Sequence, residues 1–182
     1  METVDLSHNR LTALPPRIFQ AGSVRELPWI HELHLESNRL TTLPAGVFAG
    51  LTVKQLYLQN NHLTQLHAES FRDLFVTQLH LESNRLTTLP AGVFAGLTVK
   101  QLYLQSNNLT QLHPDSFRGL KLLDYGILDV SRNKLQTLPS RVFEGFEVEQ
   151  VYLQDNDLTT LPGGVFADLT VKQLYLQSNN LT

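Results

Sequence analysis

Two histidine–glutamate pairs come closest, by residue type and spacing, to a chemical site in this sequence. His34 stands two positions before Glu36, and the same spacing returns at His80 and Glu82. Side chains two positions apart in an extended segment lie on one face, so each pair could offer two metal ligands. A metal site needs three or four ligands at about 2.0–2.3 Å from one ion, whereas the pairs should lie two strands, about 10 Å, apart. We therefore interpret both pairs as surface hydrogen bonds.

No catalytic motif accompanies these pairs. The sequence has no nucleophile in a recognisable strand-turn-helix elbow and no glycine-rich tract that opens a helix for phosphate. It also lacks cysteine, which removes disulfides, thiol chemistry and cysteine zinc sites. We expect no enzyme activity, no cofactor and no metal.

Charge and hydropathy narrow the choice of partners. The chain has 14 basic and 17 acidic residues, a net charge of −3, and no clustered Lys or Arg. Nucleic acids and anionic membrane surfaces attract clustered basic side chains, so neither is an expected partner. No run of 18 apolar residues predicts membrane insertion, and the first nine residues lack the features of a secretion signal.

The elements that must position the histidine–glutamate pairs come from an internal repeat. Residues 33–59 return unchanged at residues 79–105, which lie 46 positions further on. Within this tract the motif L-x-L-x-x-N-x-L-x-x-L recurs every 23 residues, with a phenylalanine five positions after its last leucine. A sequence that repeats at such a period is typical of structural modules that stack on one another.

The strand of each module is predicted by alternation. In residues 53–58, Val53, Leu56 and Leu58 are apolar while Gln55 and Tyr57 are polar or amphipathic. Strands that recur every 23 residues must run in the same direction, which predicts a parallel sheet with one buried and one open face. Only nine residues separate Leu43 from Val53, and they include Pro44, Gly46 and Gly50. This segment is too short and too broken for an α-helix, which leaves extended chain or 3₁₀ turns.

The pattern resembles that of the leucine-rich repeat family. The LPAGVF tracts at residues 43–48 and 89–94 are similar to the extracellular type found in Toll-like receptors, Slit-like proteins and lamprey variable lymphocyte receptors. The resemblance covers nearly the whole chain, so we interpret residues 1–182 as one array. It implies a leucine-rich repeat solenoid of about eight turns, with a parallel β-sheet on the concave face and 3₁₀ or irregular turns on the convex face.

Two columns of the repeat are interpreted as structural. An asparagine ends each predicted strand, where its amide can satisfy backbone groups that turn away from the sheet. The phenylalanines should stack and fill the convex half of the core. The asparagines are Asn9, Asn38, Asn61, Asn84, Asn107, Asn133, Asn156 and Asn179, and the phenylalanines are Phe19, Phe48, Phe71, Phe94, Phe117, Phe143 and Phe166.

Two longer junctions and the chain ends interrupt the period. The first junction, residues 20–30, holds the single tryptophan, Trp29, and the second spans residues 118–125. Each is either a loop that carries recognition residues or a tolerated insertion, with Trp29 covering the core from the side. We recognise no end caps, which predicts fraying, end-to-end association or a missing extension.

Function is expected on the open face of the sheet. The resemblance implies a non-enzymatic module that binds a ligand through this concave face. A protein is the preferred ligand, and a glycan is the second choice. Tyrosine, histidine and amide side chains favour a protein interface, and the alternative is a solvated ladder of cross-strand pairs. The candidate ligand-binding residues are His34, Glu36, Tyr57, Gln59, His80, Glu82, Tyr103, Gln105, Asp129, Tyr152, Gln154 and Tyr175.

Two other functions remain open. The near-identity of the central repeats suits a structural or engineered scaffold that self-associates through uncapped ends. The missing cysteines suit an intracellular adaptor, whereas the resemblance implies an extracellular or cell-surface location. Glycosylation sequons begin at Asn108 and Asn180, and they matter only if the chain is secreted.

Overall fold

The structure is a computed structural model that describes residues 2–19 and 30–182. The first junction, together with the predicted role of Trp29, lies outside the described residues. All regular elements in the described part of the chain are β-strands. The described residues contain no helix with the length and apolarity needed to cross a membrane.

Eight strands form one parallel sheet, and two short strands pair on the opposite side of the molecule. Neighbours in the sheet follow the order of the chain, so each strand pairs with the strands one repeat before and after it. The sheet contains β1 Glu2–Asp5, β2 Ile30–His34, β3 Thr52–Tyr57, β4 Phe75–His80, β6 Thr98–Tyr103, β8 Lys121–Asp129, β9 Glu147–Tyr152 and β10 Thr170–Tyr175, and the short pair is β5 Thr88–Leu89 with β7 Gln111–Leu112.

The turn count requires a correction. Eight asparagines predict about eight turns, but only six of the eight strands in the described sheet, β2 to β9, lie between two neighbours. β1 and β10 each pair with a single strand. The solenoid therefore has about six fully enclosed turns, because a turn buries both of its sides only when a turn stacks on each of them.

The core lies between the sheet and the convex turns. Val53, Leu56 and Leu58 are buried, as are the equivalent residues of the neighbouring repeats. The phenylalanine rings form a continuous stack, with centroids 6.0 Å apart between Phe48 and Phe71 and 5.9 Å apart between Phe71 and Phe94. Leucine rows and ring stack together make one apolar cluster that runs the length of the sheet.

The convex segments are irregular turns. Backbone hydrogen bonds run from Val47 to Pro44, from Ala49 to Gly46 and from Leu51 to Phe48, each spanning three residues. These bonds start at every second residue, whereas a 3₁₀-helix needs them at consecutive residues. Positive φ angles at Gly46 (64°) and Gly50 (76°) interrupt the helical path. Of the two predicted forms, irregular turns are therefore the one observed.

The asparagines tie each turn to the one before it. Asn84 donates to the carbonyl of Leu58 at 3.0 Å and to that of Leu81 at 3.1 Å, while its Oδ1 accepts the N–H of Leu63. The Leu58 carbonyl also accepts from Asn61 at 3.1 Å, so asparagines and carbonyls alternate along the solenoid. Six of the eight asparagines are buried, whereas Asn9 is exposed and Asn179 is half-buried because they lie in the end turns.

The second junction widens β8 into a bulge. Leu122 pairs with Val99 and Ile127 with Gln101, so the four residues between Leu122 and Ile127 face a single residue of β6. Tyr125, at the tip, has a φ of 59° and 61% of its surface exposed. A Cβ on Gly126 would lie 2.7 Å from the Leu123 carbonyl oxygen, so only glycine fits where the bulge rejoins the sheet.

Candidate recognition surface

The concave face carries three columns of side chains, and the candidate residues lie in two of them, the central and the carboxyl-side column. Strand pairing places Asp5, His34, Tyr57, His80, Tyr103, Asp129, Tyr152 and Tyr175 in one register, which we name the central column. The amino-side column contains Glu32, Gln55, Gln78, Gln101, Ile127, Gln150 and Gln173. The carboxyl-side column follows the strand ends and contains Ser7, Glu36, Gln59, Glu82, Gln105, Ser131, Gln154 and Gln177.

The rings of the central column stack on one another. His34 and Tyr57 lie 4.5 Å apart between centroids, Tyr57 and His80 lie 4.9 Å apart, and His80 and Tyr103 lie 4.8 Å apart. Their planes are tilted by 18° to 24°. The spacing equals that of adjacent strands, so the sheet itself sets the stack. Each ring is half-buried, with one edge on the open face.

Amide side chains of the amino-side column hold tyrosines of the central column in place through hydrogen bonds. Gln55 donates to Gln78, and Gln78 donates in turn to Gln101, so the amides form a ladder across three strands. The hydroxyl of Tyr103 donates to Gln101 Oε1 at 3.1 Å, and Tyr152 makes the same bond to Gln150 at 2.7 Å. A ring that is stacked and also hydrogen-bonded at its tip has little rotational freedom, so the surface is preformed.

The two histidine–glutamate pairs have different surroundings. In both pairs the histidine Nδ1 lies 3.0 Å from a glutamate oxygen, that of Glu36 or of Glu82. His34 Nε2 also lies 3.3 Å from Glu32, whereas His80 has Gln78 at the equivalent position and its buried Nε2 makes no hydrogen bond. Burial acts to lower the pKa of His34, but the hydrogen bonds to both glutamates outweigh it and raise that pKa.

Each pair brings together two side chains that could bind a metal. Among residues 2–19 and 30–182, no three side chains of His, Asp or Glu come together as metal ligands. Each histidine has acidic neighbours on its own strand and a tyrosine on the next one. The geometry is that of hydrogen-bonded surface pairs within an aromatic stack.

The carboxyl-side column carries oxygens that lack partners. One side-chain oxygen in each of Glu36, Gln59, Glu82, Gln105 and Gln154 is covered by neighbouring side chains and makes no hydrogen bond within the described chain; in the two glutamates it is the oxygen that does not face the histidine. A covered acceptor without a donor costs about 1–3 kcal/mol. All five lie beside the exposed edges of the central column. A ligand that displaces the covering side chains would supply the missing donors.

β8 breaks all three columns at once. It contributes Ile127, Asp129 and Ser131 where most other strands contribute an amide, a ring and an amide or carboxylate. The ring stack stops at Tyr103 and resumes with Tyr152 and Tyr175, whose centroids are 4.6 Å apart. The sequence places Asp129 in the central column, but sequence reasoning missed the resulting gap. The sequence shows a short side chain between two tyrosines, but not that the two rings stand in line on either side of it.

Asp129 and Asp5 share local bonds but differ in environment. In each case Oδ1 accepts the N–H of the serine two residues later, Ser131 or Ser7, at 2.9 Å. For Asp5 these serine bonds lower the pKa. For Asp129, burial between its neighbours dominates and raises the pKa, although the bonds to Ser131 oppose it. Asp129 is therefore a carboxylate with fewer solvent contacts than its counterpart at the first turn.

A second polar patch lies at the start of the strands. Lys172 Nζ sits 4.5 Å from the ring centroid of Tyr125, on the bulge of β8. Asp124, Glu147 and Glu149 complete an open cavity of about 320 Å³. The sequence indicated this junction as a possible recognition loop but gave no role to Tyr125, because its contact with Lys172 depends on strands two repeats apart.

The sequence matches a family model described as leucine rich repeat at residues 28–75, 76–125 and 126–181. A second leucine rich repeat model matches residues 1–21. A comparison with curated protein sequences gives no significant match.

Two solved structures resemble the fold. The crystal structure of a TLR13–ssRNA13 complex is 24% identical with a TM-score of 0.77, and the match covers 100% of this chain and 32% of that one. The structure of the Toll–Spatzle complex from Drosophila is 27% identical with a TM-score of 0.73, covering 100% of this chain and 27% of that one. The chain thus spans about a third or less of the length of either protein.

Proposed function

Because the chain belongs to the leucine-rich repeat family, we propose that it is a non-enzymatic recognition module that binds a protein partner across its concave face. The binding residues in this proposal are the rings, carboxylates and amides of the central and carboxyl-side columns. They are His34, Glu36, Tyr57, Gln59, His80, Glu82, Tyr103, Gln105, Asp129, Tyr152, Gln154 and Tyr175.

The rigid ring stack is the observation that carries this proposal. Binding normally costs the entropy of ordering side chains at the interface, about 0.5–1.5 kcal/mol for each. Tyr57 and Tyr103 already stack against His80 on both of its sides, and Tyr103 is also fixed by Gln101. Half-buried tyrosines with one open edge are typical of interface centres. If the face were only a solvated ladder of cross-strand pairs, the ring stack would be needed for stability. The unpartnered acceptors of the carboxyl-side column would not be needed.

Charge supports a protein partner over a nucleic acid. The three columns contain five carboxylates, those of Asp5, Glu32, Glu36, Glu82 and Asp129, and no Lys or Arg. Phosphate backbones are attracted by basic side chains, so these columns would repel them. Of the two similar structures, the Toll complex contains a protein, Spatzle, and the TLR13 complex contains ssRNA13.

The test replaces Tyr57, Tyr103 and Tyr152 together by Ala. Proteins captured by the immobilised wild-type chain are then measured for affinity against the wild type and the triple variant. We expect at least a hundredfold loss, because three interface tyrosines each contribute about 1–2 kcal/mol or more. Thr41, Thr87 and Thr159, which are exposed on the convex side, provide a matched triple alanine control.

Retained affinity in the tyrosine variant would refute binding through the concave face. Circular dichroism must show the same spectrum for all three proteins, so that a loss of affinity is not a loss of fold. Equal losses in the threonine control would point to the convex side instead.

An extracellular or cell-surface location belongs to the same proposal, since it follows from the family resemblance. It is compatible with the exposed side chains of Asn108 and Asn180, which begin the two sequons.

A second candidate function, self-association, is favoured by the apolar surface of the last turns. Leu161 and Leu181 are 37% and 39% exposed, and Leu174 and Leu176 are only partly buried, although their equivalents in the enclosed turns are buried. A second copy stacked on this end would cover them.

A further inference from the structure

The break in the ring stack at β8 forms a notch of defined width. Rings elsewhere in the central column are 4.5 to 4.9 Å apart, one per strand. Tyr103 and Tyr152 are separated by two strand spacings, about 10 Å, with Asp129 between them. A planar group inserted midway would lie about 5 Å from each ring. The notch is thus one ring thick.

Asp129 forms the acidic floor of the notch, and the rings of Tyr103 and Tyr152 form its two aromatic walls. Asp129 uses Oδ1 to accept the Ser131 N–H, and a carboxylate can accept about four hydrogen bonds in total. Ser131 is buried and short, so the notch continues into the carboxyl-side column. On its two sides the side-chain oxygens of Gln105 and Gln154 make no hydrogen bond within the described chain. The Asp129 carboxylate and these two amide oxygens are all acceptors.

Arg132, whose charge acts on Asp129, does not fill the notch. Arg132 follows Ser131, but its φ of 51° turns the chain away, and its Nε lies 3.8 Å from Asp155. Its side chain is 69% exposed. The other nearby acid on this face is Glu82, which is hydrogen-bonded to His80. The charge of Asp129 remains available to a ligand.

We propose that this notch binds the guanidinium group of an arginine side chain on the protein partner. The inference rests on the proposed function, and it names the chemistry of one contact within it. A guanidinium is planar, cationic and rich in N–H donors, and it stacks on aromatic faces. Between Tyr103 and Tyr152 it lies within the roughly 6 Å that a cation–π contact requires of each ring. Its edge meets Asp129, where charge-assisted hydrogen bonds form.

Other occupants satisfy fewer of these groups. A lysine ammonium brings the charge but has no plane to fill the space between the rings. An aromatic side chain would complete the stack, yet it would cover the Asp129 carboxylate without neutralising it, which costs desolvation. Only the guanidinium meets both walls and the floor.

The test uses N-acetyl-arginine methylamide as the probe and the isotope-labelled full chain as the receptor. We expect amide chemical-shift changes that saturate and that map to β6, β8 and β9. N-acetyl-lysine methylamide and N-acetyl-tyrosine methylamide should bind about tenfold more weakly or not at all. Asp129→Asn, which keeps the shape of the side chain, should weaken arginine binding about tenfold.

Asp5→Asn is the matched control, because Asp5 has the same serine bond and the same loss of charge without a ring on each side. It should leave arginine binding unchanged. Asp129→Tyr should fill the notch and abolish arginine binding with an unchanged circular dichroism spectrum. If that variant does not fold, the comparison of the two Asn variants still decides.

Equal binding of the arginine and lysine probes, tighter binding of the tyrosine probe, or an unaffected Asp129→Asn variant would each overturn the notch assignment. None of these outcomes would contradict the proposed function, because a protein partner can still bind through Tyr57, which lies on β3 away from the notch. Conversely, the arginine probe can bind at the notch while no protein partner depends on the tyrosines. That result would support the notch assignment and refute the proposed function.

Discussion

His34 illustrates how one neighbouring residue changes the chemistry of a side chain in a repeated environment. It and His80 occupy equivalent positions in two tracts that are otherwise identical over residues 33–59 and 79–105. The residue just before each tract differs, Glu32 in one and Gln78 in the other, and only the glutamate reaches the second ring nitrogen. The raised pKa of His34 follows from these hydrogen bonds, aided by the charge of Asp5 on the adjacent strand.

Replacing Glu32 and Glu36 by Gln should lower the pKa of His34. The pKa of His34 is raised in the folded state, so its contacts with Glu32 and Glu36 stabilise the wild-type fold when the ring is protonated. This contribution is complete below the ordinary imidazole pKa of about 6.5 and is lost as the pH rises through the folded-state pKa. Nuclear magnetic resonance titration of the His34 ring, with denaturation at several pH values, measures both effects. Superimposable titrations of wild type and variant would contradict the assignment.

At the scale of the element, the asparagine ladder is what joins one turn to the next. Each buried asparagine both donates to carbonyls and accepts a backbone N–H from the preceding turn. The carbonyls are shared between successive asparagines, as at Leu58. A left-handed residue precedes each asparagine, such as Ser83 with a φ of 55°, and turns the side chain back toward the strand ends.

Asn84→Ala should therefore destabilise the chain by about 2–4 kcal/mol. The substitution orphans the buried N–H of Leu63 and removes one of two donors from the carbonyls of Leu58 and Leu81. Chemical denaturation monitored by circular dichroism measures the change. Asn108→Ala, at an exposed position in the next repeat, is the control and should stay within about 0.5 kcal/mol of wild type. Similar losses in the two variants would argue against the ladder.

Strand direction, the leucine core and the register of the central column were predictable from the sequence, because a fixed period brings equivalent residues side by side. The convex turns were predicted as 3₁₀ or irregular, and the choice between these two forms was not predictable, since it depends on the backbone angles of Gly46 and Gly50. The notch at Asp129 was missed for a different reason. Its width depends on the rings of Tyr103 and Tyr152 standing in line, and a column of residue types does not reveal a space between side chains.

On the scale of the whole molecule, burial decreases toward the last strand. The leucines of the enclosed turns are buried, whereas Leu161 and Leu181 present apolar surface near β10. β10 pairs only with β9, so its other edge carries backbone groups that another chain could pair with. In the proposed self-association, a second copy would stack on this apolar surface beside the strand edge.

Light scattering after size exclusion should show a mass that rises with concentration for the wild-type chain. Leu161→Glu combined with Leu181→Glu should hold the mass at that of a monomer, because charge on the exposed end opposes stacking. Phe75→Glu is the control, since Phe75 is 43% exposed but lies on β4 in the middle of the sheet. A wild-type chain that stays monomeric at high concentration would rule out self-association.

The identity of residues 33–59 with residues 79–105 has a genetic consequence. Unequal crossing-over between the two tracts would excise or duplicate 46 residues and splice the chain at matching sequence. In these tracts the strand pairing and the ring stacks reach only from each turn to the next, so the recombinant would keep the same kinds of interface there. A gene of this form can lengthen or shorten its product by two turns in a single event, and the reach of its concave surface would evolve in steps of two strands.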